Sequence, residues 1–348
     1  MQIEENKRNV PPAERQNEAA AENAVCGLNA LLAAETRTHR HVGYKNSVSR
    51  FHMLTMSKCK ELCDELQNRT YKPQKGEPHE VFEPKYRITV SSKYRDRIPQ
   101  SSFITNYFYP HVVPELYAYN CACMKGKGVD YAREAFKSVL RRANPTDYCL
   151  CADMKSYFAS IDHEKLYEEL FTYITDDYAR WFFVKTVENA SKPIGLDLGS
   201  EVYQLSATSF PNRLDHQLGG ELMYIRYQDD IRLVGAKEKC VSALETIKRE
   251  CERLGLRISE KKTYIQPISR PIRFLGFSFL RHNTGRITLK RFPEKIRRER
   301  RKLKRMKQKG IPEERVDEHY QSARACLKKG ARSDLCKMDR YKKSIFGG

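Results

Sequence analysis

The chain has 348 residues, 40% of them hydrophobic, which suits two or three packed units and excludes a wholly disordered protein. It has no run of roughly 18 apolar residues that would predict a membrane span, and no apolar signal region that would predict secretion. The net charge of +20 is uneven, because residues 271–348 contain 24 Lys and Arg but 8 Asp and Glu, a net of +16. Such a basic block favours a nucleic-acid partner, although a solvated helix face or an anionic membrane would also attract this charge.

The first half of the chain predicts an extension followed by helices and short strands. Residues 1–24 are polar and contain a Pro-Pro pair, which is typical of a flexible segment. Over residues 47–66, apolar residues recur every three or four positions and predict an amphipathic helix. Residues 87–90 and 148–153 are predicted to be strands, and residues 164–170, continuing toward 187, to be helical.

The second half of the chain predicts two hairpins and two helices. Two apolar strands separated by a tight polar turn indicate the first hairpin. Gly255 is a suitable C-cap for the helix predicted over residues 238–254. In order, the predicted elements are strands at 223–227 and 231–234, a helix at 238–254, a hairpin at 273–289 around Asn283-Thr284-Gly285, and a basic helix at 294–309. Because strands and helices alternate without a strict βαβ rhythm, the predicted fold class is α+β.

Carboxylates stand at the ends of two predicted strands. Asp229 and Asp230 occupy the turn of the first hairpin, and Asp153 ends the strand at 148–153. Carboxylates beside a core repel each other and are costly to bury unless cations compensate them. Two Mg²⁺ ions bridged by carboxylates stabilise the attacking and leaving oxygens of phosphoryl transfer. An Asp-Asp pair alone would also fit a hairpin turn with local hydrogen bonds.

Several motifs, in order along residues 65–345, together resemble those of reverse transcriptases. Residues 153–162 (DMKSYFASID) resemble the first palm motif, and residues 227–230 (YQDD) resemble the Tyr-x-Asp-Asp box. Residues 194–204 and 212–216 are similar to the glycine-containing template-and-nucleotide motif of the group II intron, retron and diversity-generating branch. The other motifs are a fingers motif in residues 85–87 and 96–100, a last palm motif in 254–263 and a primer grip at 274–277.

The resemblance implies the right-hand architecture of a polymerase, with fingers, a palm built on an antiparallel sheet, and a helical thumb. The implied bounds are an N-terminal extension over residues 1–45, fingers over 46–147, a palm over 148–290 and a basic thumb over 291–348. A helical insertion of the fingers is expected near residues 162–192.

The resemblance also implies roles for individual residues. Asp153, Asp229 and Asp230 would be catalytic and would bind two Mg²⁺ ions, for which Mn²⁺ could substitute, together with the backbone carbonyl of Met154. The residues expected to bind the incoming nucleotide are Lys85, Arg87, Phe158, Gly199, Gln204 and Lys262. Positioning and electrostatics do most of the catalysis in phosphoryl transfer, so few residues need to carry it.

Two of these roles have ordinary alternatives. Phe158 would lie under the nucleotide sugar as a steric gate against a 2′-hydroxyl group, but an aromatic residue here could also belong to the core. Lys262 could protonate the leaving pyrophosphate, or it could be a solvated lysine.

The basic helix follows the primer-grip motif and so occupies the place of the thumb. Residues 295–309 contain ten Lys and Arg in fifteen positions, with Ile296, Leu303 and Met306 as a thin apolar face. Such a helix would follow the template–primer backbone without reading its sequence. The residues predicted to contact nucleic acid are Arg297, Arg298, Arg301, Lys304 and Arg305.

The eleven cysteines do not predict a zinc site, because none of their spacings has the pairing typical of structural zinc. Cys149 and Cys151 alternate on a predicted strand and are expected in the core. In a chain without a secretion signal, cysteines of this number indicate reduced thiols in a cytoplasmic protein.

Within the family, the chain is most similar to enzymes of diversity-generating retroelements. The shared features are the short length, the Gly199-x4-Gln204 form, the Lys127-Gly128 segment and residues 320–322 (YQS), whereas Tyr203 stands where that group usually has serine. The resemblance implies a bacterial or phage enzyme that copies template RNA from a primer into cDNA, with a basic accessory protein as a partner. The alternatives are a phage-defence reverse transcriptase and an idle RNA-binding protein on a polymerase scaffold.

Overall fold

The computed structural model describes residues 22–82, 86–220, 223–328, 330 and 332–347. The strands pair in antiparallel fashion in three sheets and helices form much of the remainder, so the predicted α+β class is confirmed. The chain divides into two compact units, the first comprising Met1–Met124, Met154–Gln217 and Ile247–Ile258, and the second Lys125–Asp153, Leu218–Thr246 and Ser259–Gly348. No helix among the described residues is long and apolar enough to cross a membrane.

The elements follow one another in a mixed order along the chain. They are α1 (Leu28–His39), α2 (Asn46–Met53), α3 (Thr55–Gln67), β1 (Glu77–Val81), β2 (Arg87–Ser91), α4 (Tyr94–Phe103), a π-helical turn (Ile104–Phe108), α5 (Tyr109–His111), a 3-10 turn (Val113–Glu115), α6 (Val129–Arg142), β3 (Tyr148–Asp153), α7 (Tyr157–Ser160), α8 (His163–Leu170), α9 (Asp177–Val187), α10 (Glu201–Ser209), α11 (Asn212–Gly219), β4 (Met223–Tyr227), β5 (Asp230–Gly235), α12 (Lys237–Arg253), a second 3-10 turn (Glu260–Lys262), β6 (Tyr264–Pro267), β7 (Ile272–Phe274), β8 (Phe277–Arg281), β9 (Ile287–Arg291), α13 (Pro293–Gln308), α14 (Glu313–Lys328) and α15 (Arg332–Phe346).

Helix α1, within the predicted N-terminal extension, packs into the first unit. Its Glu35 is buried and accepts hydrogen bonds from the Tyr94 hydroxyl group at 2.9 Å and from His52 Nδ1 at 3.0 Å. A buried carboxylate is stable only when it is hydrogen-bonded in this way. Most of the segment predicted to be flexible, residues 1–21, lies outside the described residues.

The single helix predicted over residues 47–66 is wrong, because the chain forms α2 and α3 with a break at Leu54. Leu54 has φ −118° and ψ 25°, which is not helical. The Thr55 hydroxyl group donates to the carbonyl of His52 at 2.8 Å. Such local side-chain hydrogen bonds compete with the helical pattern of the backbone, and the sequence period alone did not reveal the break.

The continuous helix predicted from residue 164 toward 187 is also divided, into α8 and α9. An aspartate begins each helix: Asp162 accepts from the backbone N–H of Lys165 at 3.1 Å, and Asp176 accepts from that of Ala179 at 2.8 Å. Both are N-caps, which satisfy a backbone donor in the first helical turn. Asp176, as an N-cap, marks the start of a second helix that the spacing of apolar residues alone did not indicate.

The predicted C-terminal end of α12 is confirmed. Gly255 has φ +71°, a left-handed conformation that glycine adopts without steric cost. The N–H of Leu256 donates to the carbonyl of Cys251 at 2.7 Å, which closes the helix in a Schellman pattern.

The second unit contains a four-stranded sheet in the order β4-β5-β3-β6, with β3 at its centre between β5 and β6. Within the same unit, helix α6 packs against β7 and β8 through Phe136, whose ring meets those of Phe274 and Phe279 edge-on at 5.2 and 5.1 Å. Cys149 and Cys151 on β3 are buried, as predicted, and all eleven cysteines are free thiols.

The hairpin predicted over residues 273–289 is only partly correct. Strand β7 ends at Phe274, and the chain reverses at Leu275 and Gly276, which have φ +42° and +88°. Two successive left-handed residues match the twist of a tight hairpin. The expected turn around Gly285 (φ +79°) then joins β8 to β9.

Helices α13, α14 and α15 pack around a small core of their own. The core residues are Leu303, Val316, Tyr320, Leu327 and Met338, with Ile296 and Met306 packed against them. The thin apolar face predicted for the basic helix therefore faces this core, as expected from the spacing of its apolar residues.

Candidate active site

The antiparallel register of β3 and β5 brings two of the predicted carboxylates together. Asp153 ends β3 and Asp230 begins β5, and the two residues are direct partners in the ladder. Directly opposed residues have Cα atoms about 4.5–5.5 Å apart and side chains on the same face of the sheet. The sheet therefore positions two carboxyl groups side by side at its end.

A two-residue turn adds the third carboxylate. Tyr227 and Asp230 pair as the last residues of the β4–β5 ladder, so Gln228 and Asp229 form the turn between them. Gln228 has φ +55°, an unfavourable value for a residue other than glycine. The fully buried Arg226 donates from Nη1 to the Gln228 carbonyl at 3.0 Å, which helps to hold this conformation. Backbone strain of this kind is concentrated at functional sites.

Burial raises the pKa of Asp230 to about 6, and the neighbouring Asp229 and Asp153 add to this increase. Arg232, two residues away on β5, opposes it by pairing with the Asp230 carboxylate. The side chain of Arg232 is only 8% exposed. This single cation therefore compensates the burial of the carboxylate only in part.

A lysine compensates Asp153. Lys262 Nζ, on the second 3-10 turn, lies 2.8 Å from both carboxylate oxygens of Asp153. This hydrogen bond raises the pKa of Lys262, and Asp229 and Asp230 contribute through their charge. The lysine proposed from the sequence therefore contacts the carboxylate site itself.

The two paired carboxylates open onto a cavity of about 530 Å³, which is also lined by Arg232, Lys262 and Arg273. Among the described residues, no three Asp, Glu, His or Cys side chains are grouped closely enough to form a complete metal site. Mg²⁺ needs only one or two protein carboxylates when substrate phosphates and water supply the other oxygens. Asp153 and Asp230 fit this requirement, and Lys262 already shows that a cation is accommodated beside Asp153.

The comparison with protein families decides the class. A family model described as "Reverse transcriptase (RNA-dependent DNA polymerase)" matches residues 79–279, more than half of the chain. The chain belongs to the reverse transcriptase family. Its mixed helices and antiparallel sheets agree with the right-hand polymerase architecture of this family. No curated protein matches the sequence.

Three solved telomerase structures from Candida are similar to part of this reverse transcriptase, each with a TM-score of 0.44. The apo telomerase from Candida tropicalis is 10% identical, over 63% of this chain and 49% of that one. The Candida albicans telomerase in complex with a TWJ fragment of telomeric RNA is 12% identical, over 65% and 46%. The C. tropicalis enzyme truncated from its C-terminal domain is 12% identical, over 62% and 55%. The chain thus spans about half the length of these structures.

The reverse transcriptase carries four of the predicted nucleotide-binding residues in its first unit, whereas Lys85 lies outside the described residues. Arg87 is exposed on β2. Gly199 has φ +144°, and a Cβ atom there would lie only 2.6 Å from the carbonyl oxygen of Val90 on β2. The Val90 N–H also donates to the carbonyl of Leu198 at 3.1 Å. Glycine is therefore required at position 199, where the motif of residues 194–204 contacts β2.

Phe158 and Gln204, the other two, are partly exposed. Phe158 lies on the short helix α7, and its carbonyl accepts from the N–H of Leu196 at 2.8 Å. The neighbouring Tyr157 is buried instead and donates its hydroxyl hydrogen to the carbonyl of Ala207. Of the two aromatic residues, Tyr157 therefore belongs to the core, and Phe158 retains exposed surface that a ligand could contact.

The backbone around Met154 leaves its carbonyl available to a ligand. Met154 forms an antiparallel bridge with Ile258, and the N–H of Lys155 donates to the carbonyl of Arg257 at 2.7 Å. In such a bridge the hydrogen bonds come from the flanking residues, so the Met154 carbonyl points to the opposite edge. The proposed role as a metal ligand is compatible with this direction.

The five predicted nucleic-acid residues on α13 are all exposed. Other cations of the same helix contact α15: the Arg300 guanidinium stacks on Tyr341 at 4.9 Å, and Lys307, although exposed, donates to the carbonyl of Ile345. Some cations of this helix thus contact α15, whereas the five predicted residues keep their charge in the solvent.

Sequence reasoning missed Arg232 and Arg273, which line the carboxylate cavity. Arg232 Nε donates to the Arg273 carbonyl at 3.1 Å, and the Arg273 guanidinium stacks on Phe292 at 4.1 Å. The sequence did offer an indication for Arg232, because it is a charged residue between Ile231 and Leu233 in an otherwise apolar strand. Such a residue requires a buried partner, and the nearest carboxylate is Asp230.

Proposed function

We propose that this chain is an RNA-directed DNA polymerase that makes cDNA on an RNA template by nucleotidyl transfer. The observation that carries the proposal is the direct opposition of Asp153 and Asp230 on β3 and β5, beside Asp229, in a chain of the reverse transcriptase family. The direct test is extension of a DNA or RNA primer on an RNA template by the purified protein with Mg²⁺ or Mn²⁺. Absence of extension with either ion would contradict the proposal.

The proposed cofactor is a pair of Mg²⁺ ions, with Mn²⁺ as a substitute, held by Asp153, Asp229 and Asp230 and the Met154 carbonyl. When bound, such ions stabilise negative charge on the attacking and leaving oxygens. The chain's own residues orient the site. Arg232 holds the Asp230 carboxylate, and Lys262, which pairs with Asp153, could donate a proton to a phosphate oxygen bound beside that carboxylate.

The other proposed nucleotide contacts are Lys85, Arg87, Phe158, Gly199 and Gln204. Exposed Arg87 has a guanidinium that could bind a triphosphate in a bidentate manner. The subdomain bounds expected from the sequence, with fingers over residues 46–147, a palm over 148–290 and a thumb over 291–348, remain part of the same proposal.

Sugar selection tests the proposed role of Phe158. In the variant Phe158→Ala, loss of the ring would open space for a 2′-hydroxyl group, so the ratio of kcat/KM for ribonucleotides to that for deoxyribonucleotides should rise by at least about tenfold, or 1.4 kcal/mol. The half-buried Phe171 offers a matched control, because Phe171→Ala removes a ring of equal size from another helix end. If discrimination is unchanged in a folded Phe158→Ala protein, this side chain has only a packing role.

Template–primer binding is proposed for the exposed face of α13. The variant Arg297→Glu, Arg301→Glu, Lys304→Glu reverses three charges that spacings of four and three place on one face. Because each phosphate contact contributes about 0.7–0.9 to the slope of log K against log salt, the slope should fall by roughly two to three. Affinity should weaken in parallel, with chemistry at saturating duplex less affected.

A second triple reversal separates this binding face from net charge. Lys328, Lys337 and Arg340 are also exposed in the thumb, and reversing them to Glu changes the total charge equally. Salt titrations of both variants should give a reduced slope only for the α13 variant. Equal slopes for both variants and the parent would exclude this face as the grip.

The proposed biological role is in a bacterial or phage diversity-generating retroelement, with template RNA, primer and a basic accessory protein as partners. Similarity of the 194–204 motif to that group supports it. Tyr203, which replaces the usual serine, is buried and donates to the Thr186 carbonyl at 2.7 Å. A phage-defence role is the alternative, and sequencing of the nucleic acid that copurifies with the protein distinguishes them. The cytoplasmic location stays a prediction.

A further inference from the structure

The first unit has a surface pocket of about 340 Å³ with an unusual lining. It presents two cations, Lys155 and Arg257, and two hydroxyl groups, Ser156 and Ser160, but among the described residues no acidic side chain lines it. Exposed Ile194 forms an apolar part of the wall. The pocket therefore contains both charged and uncharged hydrogen-bond donors.

The two cations face each other across a backbone bridge. Met154 pairs with Ile258, and the Lys155 N–H donates to the Arg257 carbonyl at 2.7 Å, so Lys155 and Arg257 are the next opposed pair. Side chains in that relation have Cβ atoms about 4.5–5.5 Å apart, and like charges there are destabilising. Neither side chain forms an ion pair within the described part of the chain.

A third cation, Lys165, lies beside one of the lining residues. Lys165 Nζ donates to the Arg253 carbonyl at 2.8 Å and would lie 3.4 Å from a Cβ atom on Gly255, which is also a lining residue. Its partner is a neutral carbonyl, so its positive charge is not cancelled. Two positive charges thus line the pocket, and a third lies beside Gly255.

We propose that this pocket binds a free phosphate-class anion, of which inorganic pyrophosphate is the probe. A guanidinium, an ammonium and hydroxyl donors together suit a compact anion with several acceptor oxygens. Such an anion removes the repulsion between Lys155 and Arg257. A recess of this size admits a small anion, whereas a nucleic-acid backbone would need a continuous track. The inference goes beyond polymerisation, because binding here requires no catalysis.

Calorimetric titration of pyrophosphate into the full chain, with EDTA present, tests the site without divalent ions. Arg257→Gln and Lys155→Gln should each weaken binding by about tenfold, the loss expected for one charge-assisted hydrogen bond, and Ser160→Ala by about fivefold. A control removes one positive charge elsewhere: Lys60→Gln on the exposed surface of α3 should retain parental affinity. Lys262→Gln, in the carboxylate cavity, distinguishes the two places where the anion could bind.

Thermal unfolding gives an independent readout. Without anion, Arg257→Gln should melt at or above the parental Tm, because one repulsive charge is gone. At the same high pyrophosphate concentration the parent should gain more than the variant, because stabilisation by a ligand follows RT ln(1 + [L]/Kd) and the parent binds more tightly.

Three results would overturn the assignment. The first is absence of pyrophosphate binding, or binding that Lys155→Gln, Arg257→Gln and Ser160→Ala leave unchanged. The second is loss of binding only in Lys262→Gln, which would locate the anion in the carboxylate cavity. The third is unchanged pyrophosphate affinity with weaker binding of single-stranded RNA, which would identify a nucleic-acid phosphate as the ligand.

Discussion

Replacing Asp229 by asparagine is expected to reduce primer extension on an RNA template by on the order of 10³-fold or more. Charge stabilisation by catalytic metals is worth several kcal/mol, and each 1.36 kcal/mol is a factor of ten in rate. Asp229→Asn removes one negative charge from the turn between β4 and β5 without changing side-chain size. Affinity for the template–primer should remain near the parental value, because the proposed grip lies on α13.

The measurement is single-turnover extension at saturating duplex, together with a separate binding titration. Asp64→Asn, an equal change at an exposed position of α3, is the matched control and should extend primers at the parental rate. An Asp229→Asn protein that extends as well as the parent would show that this carboxylate does not serve the metals. Equal losses in binding and extension would instead indicate a general defect of folding.

The residues that the sequence predicted best are those whose neighbours along the chain determine their position. Asp153 ends β3, Asp230 begins β5 and Asp229 lies in the turn before β5, so the apolar strand patterns located these residues within their elements. The pairing of β3 with β5 came from the structure. Gly255 followed in the same way from the end of a periodic helix. Local pattern and local structure agree at these positions.

Predictions failed where a single polar side chain overrides the apolar period. Thr55 and Asp176 each interrupt what otherwise has the spacing of one long helix, through hydrogen bonds to nearby backbone groups. The role of Arg232 was not predicted for a different reason. Its partners include the carbonyl of Arg273, 41 residues away, and such pairing depends on tertiary structure.

Removal of the Arg232 side chain is expected to reduce stability strongly. Its guanidinium pairs with the Asp230 carboxylate and donates to the carbonyls of Ile231 and Arg273, all in a largely buried setting. Arg232→Met keeps the apolar volume but leaves Asp230 without its cation. Breaking a buried ion pair by removing one partner costs about 3–5 kcal/mol, because the remaining charge is uncompensated. The free energy of unfolding, measured in urea with EDTA present, should fall by about that amount.

Two further variants identify the cause of this loss. Arg281 resembles Arg232 in donating to two carbonyls, those of Leu140 and Ala143 at 3.0 and 3.2 Å, but within the described part of the chain it pairs with no carboxylate. Arg281→Met should therefore cost only about 1–3 kcal/mol for carbonyls left unsatisfied. The double variant Asp230→Asn, Arg232→Met should recover much of the stability lost in Arg232→Met, since the stranded charge is gone and the two effects are coupled. If the double variant is instead less stable than Arg232→Met by the full cost of Asp230→Asn alone, the two side chains act independently and Arg232 does not hold the Asp230 carboxylate.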